Sequence, residues 1–374
     1  MNLSVRRRLM LSLAAPVAAL VFAVATSSIV LIVSGSNPLE AYGDMFSHAA
    51  KLETMVDILN RATPLYVAAV AVAIAFRMSL FNIGVEGQFL LAFLVAAHVG
   101  SLVSLPAVLH VPLILLVAML VGGAYSGTAG LLKVTKGVNE VISTIMLNAV
   151  AVTGLVAWLI REWQAEGSIG TGTTTRVGTA PIDESGLIPG LNSLVEVFTR
   201  EIRQGKELTG VLVVAILVGV AYHVLVNRTV FGFDLRASGM NPFAARAGGV
   251  PPKRMIMAAM VLSGAVAGLV GMTELMQAGL FPSNPIQGLG FAGIAVALLG
   301  RNHPLGIAAG ALIFAFLDVS SGVLQFTGAA PREIVVIMQG VIILAAVIAY
   351  EMAHRARERE EARAAASALT EVPA

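Results

Sequence analysis

Apolar runs separated by short polar segments set the pattern of this chain: about 9–33, 63–80, 88–105, 107–132, 139–160, 209–227, 255–279, 288–300, 305–326 and 333–352. A membrane-spanning helix needs about 20 predominantly apolar residues, and most of these runs approach that length. The pattern predicts an all-α, polytopic membrane helix bundle of about ten spans, some of them interrupted. The run at 288–300 is short for a full crossing. One transmembrane domain is expected over 1–352, with a long external connection at 161–208, a cytoplasmic one at 228–254 and a charged tail at 353–374.

The polar interruptions carry more information than the runs. Phe81-Asn82-Ile83-Gly84-Val85-Glu86-Gly87-Gln88 places two amides, a carboxylate and two glycines between two apolar runs. A carboxylate at membrane depth costs about 2.5–3.5 kcal/mol even on the lenient insertion scale, so it should not face lipid. Irregular backbone at that depth is tolerated only inside protein or beside a water-filled cavity. Asn82, Glu86 and Gln88 are therefore expected to line a hydrated route for a small polar solute. A simple count of crossings puts Glu86 near the inner surface, so midplane depth requires a broken or re-entrant helix. A second glycine-containing interruption, Pro282 to Gly290, stands at the corresponding junction of the other half. The two halves enter the membrane from opposite sides, so a repeat between them would be inverted, and paired breaks of this kind point to a midplane site.

Other polar residues fall on helix faces. Glu140, Thr144 and Asn148 recur every four residues and share one face, as do Asp318, Ser321 and Gln325. Asn148 and Asp318 join the expected pathway, whereas Thr144 and Ser321 also fit simple bonding to a helix carbonyl. Glu274 and Gln277 fall near the outer end of the seventh run. Gly123 with Gly127, Gly264 with Gly268, and Gly306 with Gly310 are spaced for close helix packing.

Composition agrees with a membrane setting: hydrophobic residues make up 57% of the chain and charged residues 12%, with a mean hydropathy of +0.85. That charged share is about half of what soluble domains carry. A net charge of +2 gives no reason to invoke nucleic acid, and the absence of cysteine excludes disulfides and thiolate chemistry. Basic residues cluster at Arg6 to Arg8, Lys133 and Lys136, Arg228 to Arg254, Arg301, and Arg355 to Arg363. With ten spans all of these fall on one side, which predicts cytoplasmic N- and C-termini. The first run also resembles a signal peptide, but it continues to Val33, longer than a usual apolar core, which favours an uncleaved helix. The six histidines are scattered, with no H-E-x-x-H set, and no G-x-x-x-x-G-K-[ST] phosphate loop occurs.

The 228–254 connection predicts short helices. Asn241 can cap a helix starting at Pro242, which Gly248 and Gly249 would stop, and Phe233 to Ala237 can form a preceding turn. With Arg236 and Arg246 it reads either as a docking surface or as an amphipathic interfacial loop.

FNIGVEGQ, GVNEVISTIMLN (137–148), GMNPFAARAGGV (239–250) and GLGFAGIAVALLGRNHPLG (288–306) together resemble ABC-importer permeases of the bacterial cytoplasmic membrane, most closely the simple-sugar and nucleoside branch. The resemblance implies a permease that is not itself an enzyme and holds no cofactor. ATP and Mg would sit on a partner ATPase with two nucleotide-binding domains. A second homologous permease and an extracytoplasmic solute-binding lipoprotein are also implied, and Arg236, Asn241 and Arg246 would meet the ATPase. The NIGVEGQ form favours nucleosides, purine nucleosides foremost, over ribose-like sugars. A rival reading is an ion-coupled secondary transporter with Glu86 and Asp318 as its relay.

Overall fold

The computed structural model describes residues 21, 24–33, 35–165, 178–192, 207–326 and isolated positions between 336 and 344. It divides into two compact units, 52–316 and a second made of 1–51 with 317–374. All regular structure among the described residues is helical, apart from two isolated bridges, Gln164 with Thr179 and Gly178 with Pro282.

In the second unit, α1 (Val24–Val33) and α2 (Pro38–Ala49) are joined by a short turn. Asn37 starts α2 by accepting from the Leu39 amide, with Pro38 in the first position. Leu31, Ala41 and Met45 are buried.

The larger unit holds α3 (Leu52–Phe76), α4 (Val85–Ser101), α5 (Ala107–Lys136), α6 (Glu140–Trp163), α7 (Val211–Arg228), α8 (Val230–Met240), α9 (Pro242–Ala247), α10 (Pro252–Gly268), α11 (Met272–Ala278) and α12 (Leu289–Leu299). A further helix, α13, runs from Pro304 to Phe326. Of the about ten crossings expected, the described residues hold five helices long and apolar enough to span and four shorter apolar ones. Among the shorter ones, α4 and α12 share a physical cause. Each begins immediately after a polar interruption, which consumes the residues that would have completed a span. The run at 333–352 lies almost wholly outside the described residues, as do the first part of the run at 9–33 and the tail.

α3 is the central helix. From Ala62 to Ala75 every residue except Tyr66 is buried, and the run is rich in alanine and valine. Such small side chains let α7, α10 and α12 pack against it. α5 and α10 come closest: a β-carbon on Gly122 would strike the Gly264 carbonyl, and one on Gly268 would strike the Ala118 carbonyl. Gly264 and Gly268 were legible from their spacing; Gly122 was not. Gly123 and Gly127 lie on the same interface, against Val261.

α6 starts on Asn139, whose side chain accepts from the Val141 amide at 2.8 Å. Its ladder widens into a π turn over Val150–Val156 before returning to α geometry as far as Trp163. Trp163 stacks on His98 of α4, with ring centroids 4.0 Å apart and planes 3° from parallel. Of the long 161–208 connection, 178–192 is described in full and ties several elements together. Thr179 and Ile182 bond to the backbone at Phe281 and Gly279, and Ser185 meets the buried His110 of α5. The 228–254 connection is more helical than expected. Thr229, a cap not recognised in the sequence, accepts from Gly232 and extends the anticipated turn into α8.

Candidate functional site

The first interruption begins where α3 stops at Phe76. Ser79 then adopts a left-handed backbone (φ 56°), and Phe81 packs edge-on against Phe76 at 4.7 Å. The next residues form a small closed network. Asn82 and Gln88 exchange two side-chain hydrogen bonds, Asn82 Nδ2 to Gln88 Oε1 at 3.0 Å and Gln88 Nε2 to Asn82 Oδ1 at 2.9 Å. Asn82 Nδ2 also donates to the Ser263 hydroxyl at 2.8 Å, which in turn donates to the Ala71 carbonyl at 2.7 Å. Asn82 Oδ1 accepts from the Gly84 amide at 3.0 Å. One side chain thus links α3, α4 and α10 around the break.

α6 supplies the rest. Asn148 Oδ1 accepts from the Gly87 amide at 2.8 Å, and its Nδ2 donates to the Ile83 carbonyl at 2.7 Å. Thr144 Oγ1 donates to the Glu140 carbonyl at 2.7 Å and lies 3.3 Å from the Ile83 amide. Helix starts leave amides without intrahelical partners, and here side chains from a neighbouring helix satisfy them. Gly87 is required by proximity: a β-carbon there would lie 2.8 Å from Ala151 Cβ and 3.0 Å from Asn148 Oδ1. Glu140, one turn before Thr144, pairs with Lys133 at the end of α5.

Glu86 does something different. Its carboxylate accepts from the Gly288 amide at 2.5 Å and from the Gly290 amide at 2.7 Å. These are the orphan donors at the start of α12, where no local side chain caps the helix. The positive end of a helix dipole favours an anion there, so a carboxylate from α4 serves as the cap in trans. Gly290 allows the approach, because a β-carbon on it would lie 2.5 Å from the Glu86 amide nitrogen and 2.9 Å from its Cα. Glu274 of α11 holds the same loop a little earlier, with both carboxylate oxygens near the Ile286 amide at 3.1 and 3.3 Å. Two acidic side chains therefore grip the second interruption from two helices.

The structure thus brings Asn82, Glu86, Gln88 and Asn148 together and buries all four. Their polar atoms are committed to protein partners in this conformation; a solute would have to displace or share them. Asp318 is half-buried and belongs to the other unit, and the side chains of Ser321 and Gln325 lie outside the described residues. Ser263 and Glu274 belong to the arrangement, although Ser263 carried no sequence signal beyond being a hydroxyl in an apolar run. No group of three or more His, Asp or Glu suited to a metal ion occurs among the described residues.

At the 228–254 connection, Asn241 caps α9 by accepting from the Phe243 and Ala244 amides, each at 3.0 Å. Arg236 donates to the Val226 carbonyl and braces α8 on the end of α7, while Arg246 stands exposed in the last turn of α9. Met240 and Phe243 are 86% and 83% exposed, side by side at the α8–α9 corner. A second cluster closes the C-terminal end of α3. Arg77 donates to the Tyr222 hydroxyl at 3.1 Å and to the Asn302 carbonyl at 2.7 Å, and Tyr222 donates to that same carbonyl at 2.7 Å.

Comparison with known proteins places this arrangement in context. A family model described as branched-chain amino acid transport system / permease component matches residues 54–347, which include both interruptions. The chain is 32% identical over 340 residues to the guanosine ABC transporter permease protein NupP of Bacillus subtilis, covering 90% of this chain and 93% of that one. It is 33% identical over 331 residues to the glucose ABC transporter permease protein TsgB13 of Haloferax volcanii, covering 88% and 85%. It is 30% identical over 337 residues to the nucleoside ABC transporter permease protein NupB of Lactococcus lactis, covering 89% and 90%. No solved structure matches the chain significantly.

Proposed function

Because the chain belongs to the family of branched-chain amino acid transport system permease components, we propose that it is the membrane permease subunit of an ATP-driven ABC importer that moves nucleosides. The observation that carries this reading is the similarity to a guanosine permease along nearly the full length of both chains. A nucleoside permease of similar coverage supports it. The glucose permease relative favours a second reading, a simple-sugar importer, because the hydroxyls of a ribose and of a hexose make the same kind of demand on a polar route.

On this reading the protein crosses the membrane about ten times, counting the shorter apolar helices, with both termini cytoplasmic. It acts with a separate ATPase carrying two nucleotide-binding domains, where ATP and Mg sit, with a second related permease, and with an extracytoplasmic solute-binding lipoprotein. The α8–α9 corner, with its exposed Met240 and Phe243 beside Arg246, offers apolar tips and a cation to the ATPase, while Arg236 and Asn241 hold the corner in shape. Asn82, Glu86, Gln88 and Asn148 border the translocation route by fixing the broken ends of α4 and α12. Alternating access then amounts to moving these two fixed ends together against the rest of the bundle, with their caps kept satisfied.

The decisive experiment is uptake in proteoliposomes holding this chain, its ATPase, the second permease and the binding protein. Labelled guanosine should enter only when ATP is supplied, and unlabelled glucose or ribose should compete poorly. Preferential uptake of glucose would select the sugar reading. Uptake that collapses on loss of membrane potential but not on loss of ATP would select the ion-coupled alternative.

A further inference from the structure

Between the α8–α9 corner and the first interruption lies a contact that neither the motifs nor the family reading singled out. Gly239, in the last turn of α8, lies directly on the backbone that follows α3. A β-carbon at Gly239 would stand 2.7 Å from the Met78 carbonyl carbon, 2.8 Å from Met78 Cα and 2.9 Å from the Arg77 carbonyl oxygen. All three are backbone atoms, which cannot swing aside as a side chain would. Ser79 adds a hydrogen bond from its hydroxyl to the Gly239 carbonyl at 2.9 Å. Ser79 keeps its left-handed backbone although it is not glycine, a conformation that persists where the surroundings impose it.

The same short turn is fixed from below and from the side. Met78 and Leu80 are buried in one apolar cluster with Leu235 of α8, Ala75 of α3, Ala129 of α5, and Ala259 and Met260 of α10. Arg77 bonds to Tyr222 of α7 and to the carbonyl of Asn302, just before α13. Two residues beyond Leu80 stands Asn82, the centre of the amide network, and four beyond that stands Glu86, which caps α12. The path from the α8–α9 corner to the start of α12 is thus continuous: a backbone contact, a short stretch of chain and the Glu86 hydrogen bonds, of which the one to Gly290 is buried.

We propose that the turn Arg77 to Leu80 is the joint through which displacement of the α8–α9 corner reaches both interrupted helices, with Gly239 and Ser79 as its positioning residues. This inference rests on the reading that the corner meets an ATPase. α8, the turn and the amide network move together as a unit, because Gly239 packs directly on the Met78 backbone, Ser79 bonds to the Gly239 carbonyl and Leu235 is packed into the same core. The chain's second interruption follows through the Glu86 carboxylate.

The test uses the full transporter complex and compares Gly239→Ala and Ser79→Ala with the unmodified protein, measuring assembly, ATP hydrolysis and guanosine uptake separately. Gly239→Ala wedges α8 away from the turn; Ser79→Ala, at an exposed position, removes one hydrogen bond and leaves folding intact. The expected result is that ATP hydrolysed per solute imported rises in both variants, by roughly 2- to 30-fold, the range for residues on a coupling route. Gly239→Ala should show the larger rise, and the subunits should remain assembled. A merely structural role would lower hydrolysis and uptake in parallel, leaving the ratio unchanged, and that outcome in Ser79→Ala overturns the joint even if Gly239→Ala fails to assemble. Uptake by the unmodified complex that ignores ATP would instead remove the functional reading, and the joint with it.

Discussion

The two interruptions solve one problem with opposite chemistry. At the first, the broken end of α4 is knitted by neutral groups. Asn82 and Gln88 face each other, and Asn148 reaches across from α6 to the Gly87 amide and the Ile83 carbonyl. At the second, the start of α12 has glycines and no cap of its own; the Glu86 carboxylate satisfies its amides, and Glu274 holds the preceding loop at Ile286. The first break therefore takes nothing from the second, whereas the second depends on the first, because Glu86 belongs to the first motif. Whatever shifts Asn82 to Gln88 must carry the start of α12 with it or leave amides bare.

The sharpest way to break that comparison is Glu86→Ala. It strips the acceptor from the buried Gly290 amide and the part-buried Gly288 amide; a buried amide left unsatisfied costs about 1–3 kcal/mol, so a loss of roughly 2–4 kcal/mol is expected for the two together. Half-inactivation temperature in detergent and uptake in proteoliposomes should both fall more than for any other single change at the breaks. Glu86→Gln retains one acceptor oxygen and the shape of the side chain, so it should recover part of that loss; a glutamine as damaging as alanine would mean that the charge, and not the hydrogen bonds, holds α12.

Asn148→Ala comes next. It leaves one amide donor and one carbonyl without partners, and an under-satisfied carbonyl is the more tolerable of the two. About 1–3 kcal/mol is expected, read as a smaller fall in the same temperature. Glu274→Ala should have the least effect, under about 1 kcal/mol, because its contact to Ile286 lies at an exposed site that water can reoccupy. If Glu274→Ala proved as costly as Glu86→Ala, the second interruption would hang from α11 as much as from α4, and its dependence on the first motif would be lost.

Much of this architecture was legible in the sequence, and the remainder was hidden for a definable reason. Apolar runs and helix caps are short-range signals, so the breaks at Asn82 to Gln88 and Pro282 to Gly290 and the Asn241 cap could all be found by reading along the chain. The four-residue spacing placed Glu140, Thr144 and Asn148 on one face, and all three side chains are buried in the bundle. What spacing cannot encode is partnership across the fold. Glu86 meets amides more than 200 positions away, and Ser263 and Gly122 become informative only once α10 lies against α3 and α5. The shortness of α4 and α12 has the same origin. Hydropathy counts greasy residues, whereas the helix ends are set by where distant side chains are available to cap them.

The π turn in α6 has a consequence of its own. A π turn absorbs an extra residue into the helix without breaking it, so the segments before and after Val150–Val156 point in directions that a regular helix could not combine. Upstream, Asn148 is aimed at the α4 break; downstream, Trp163 is aimed at His98 near the far end of the same helix. Forcing regular α winding on this segment without removing a residue would turn the part that follows by about 100°, the angle per residue of an α-helix. The indole would swing off the imidazole while the asparagine kept its place. One surplus residue thus lets a single rod grasp its neighbour at both ends.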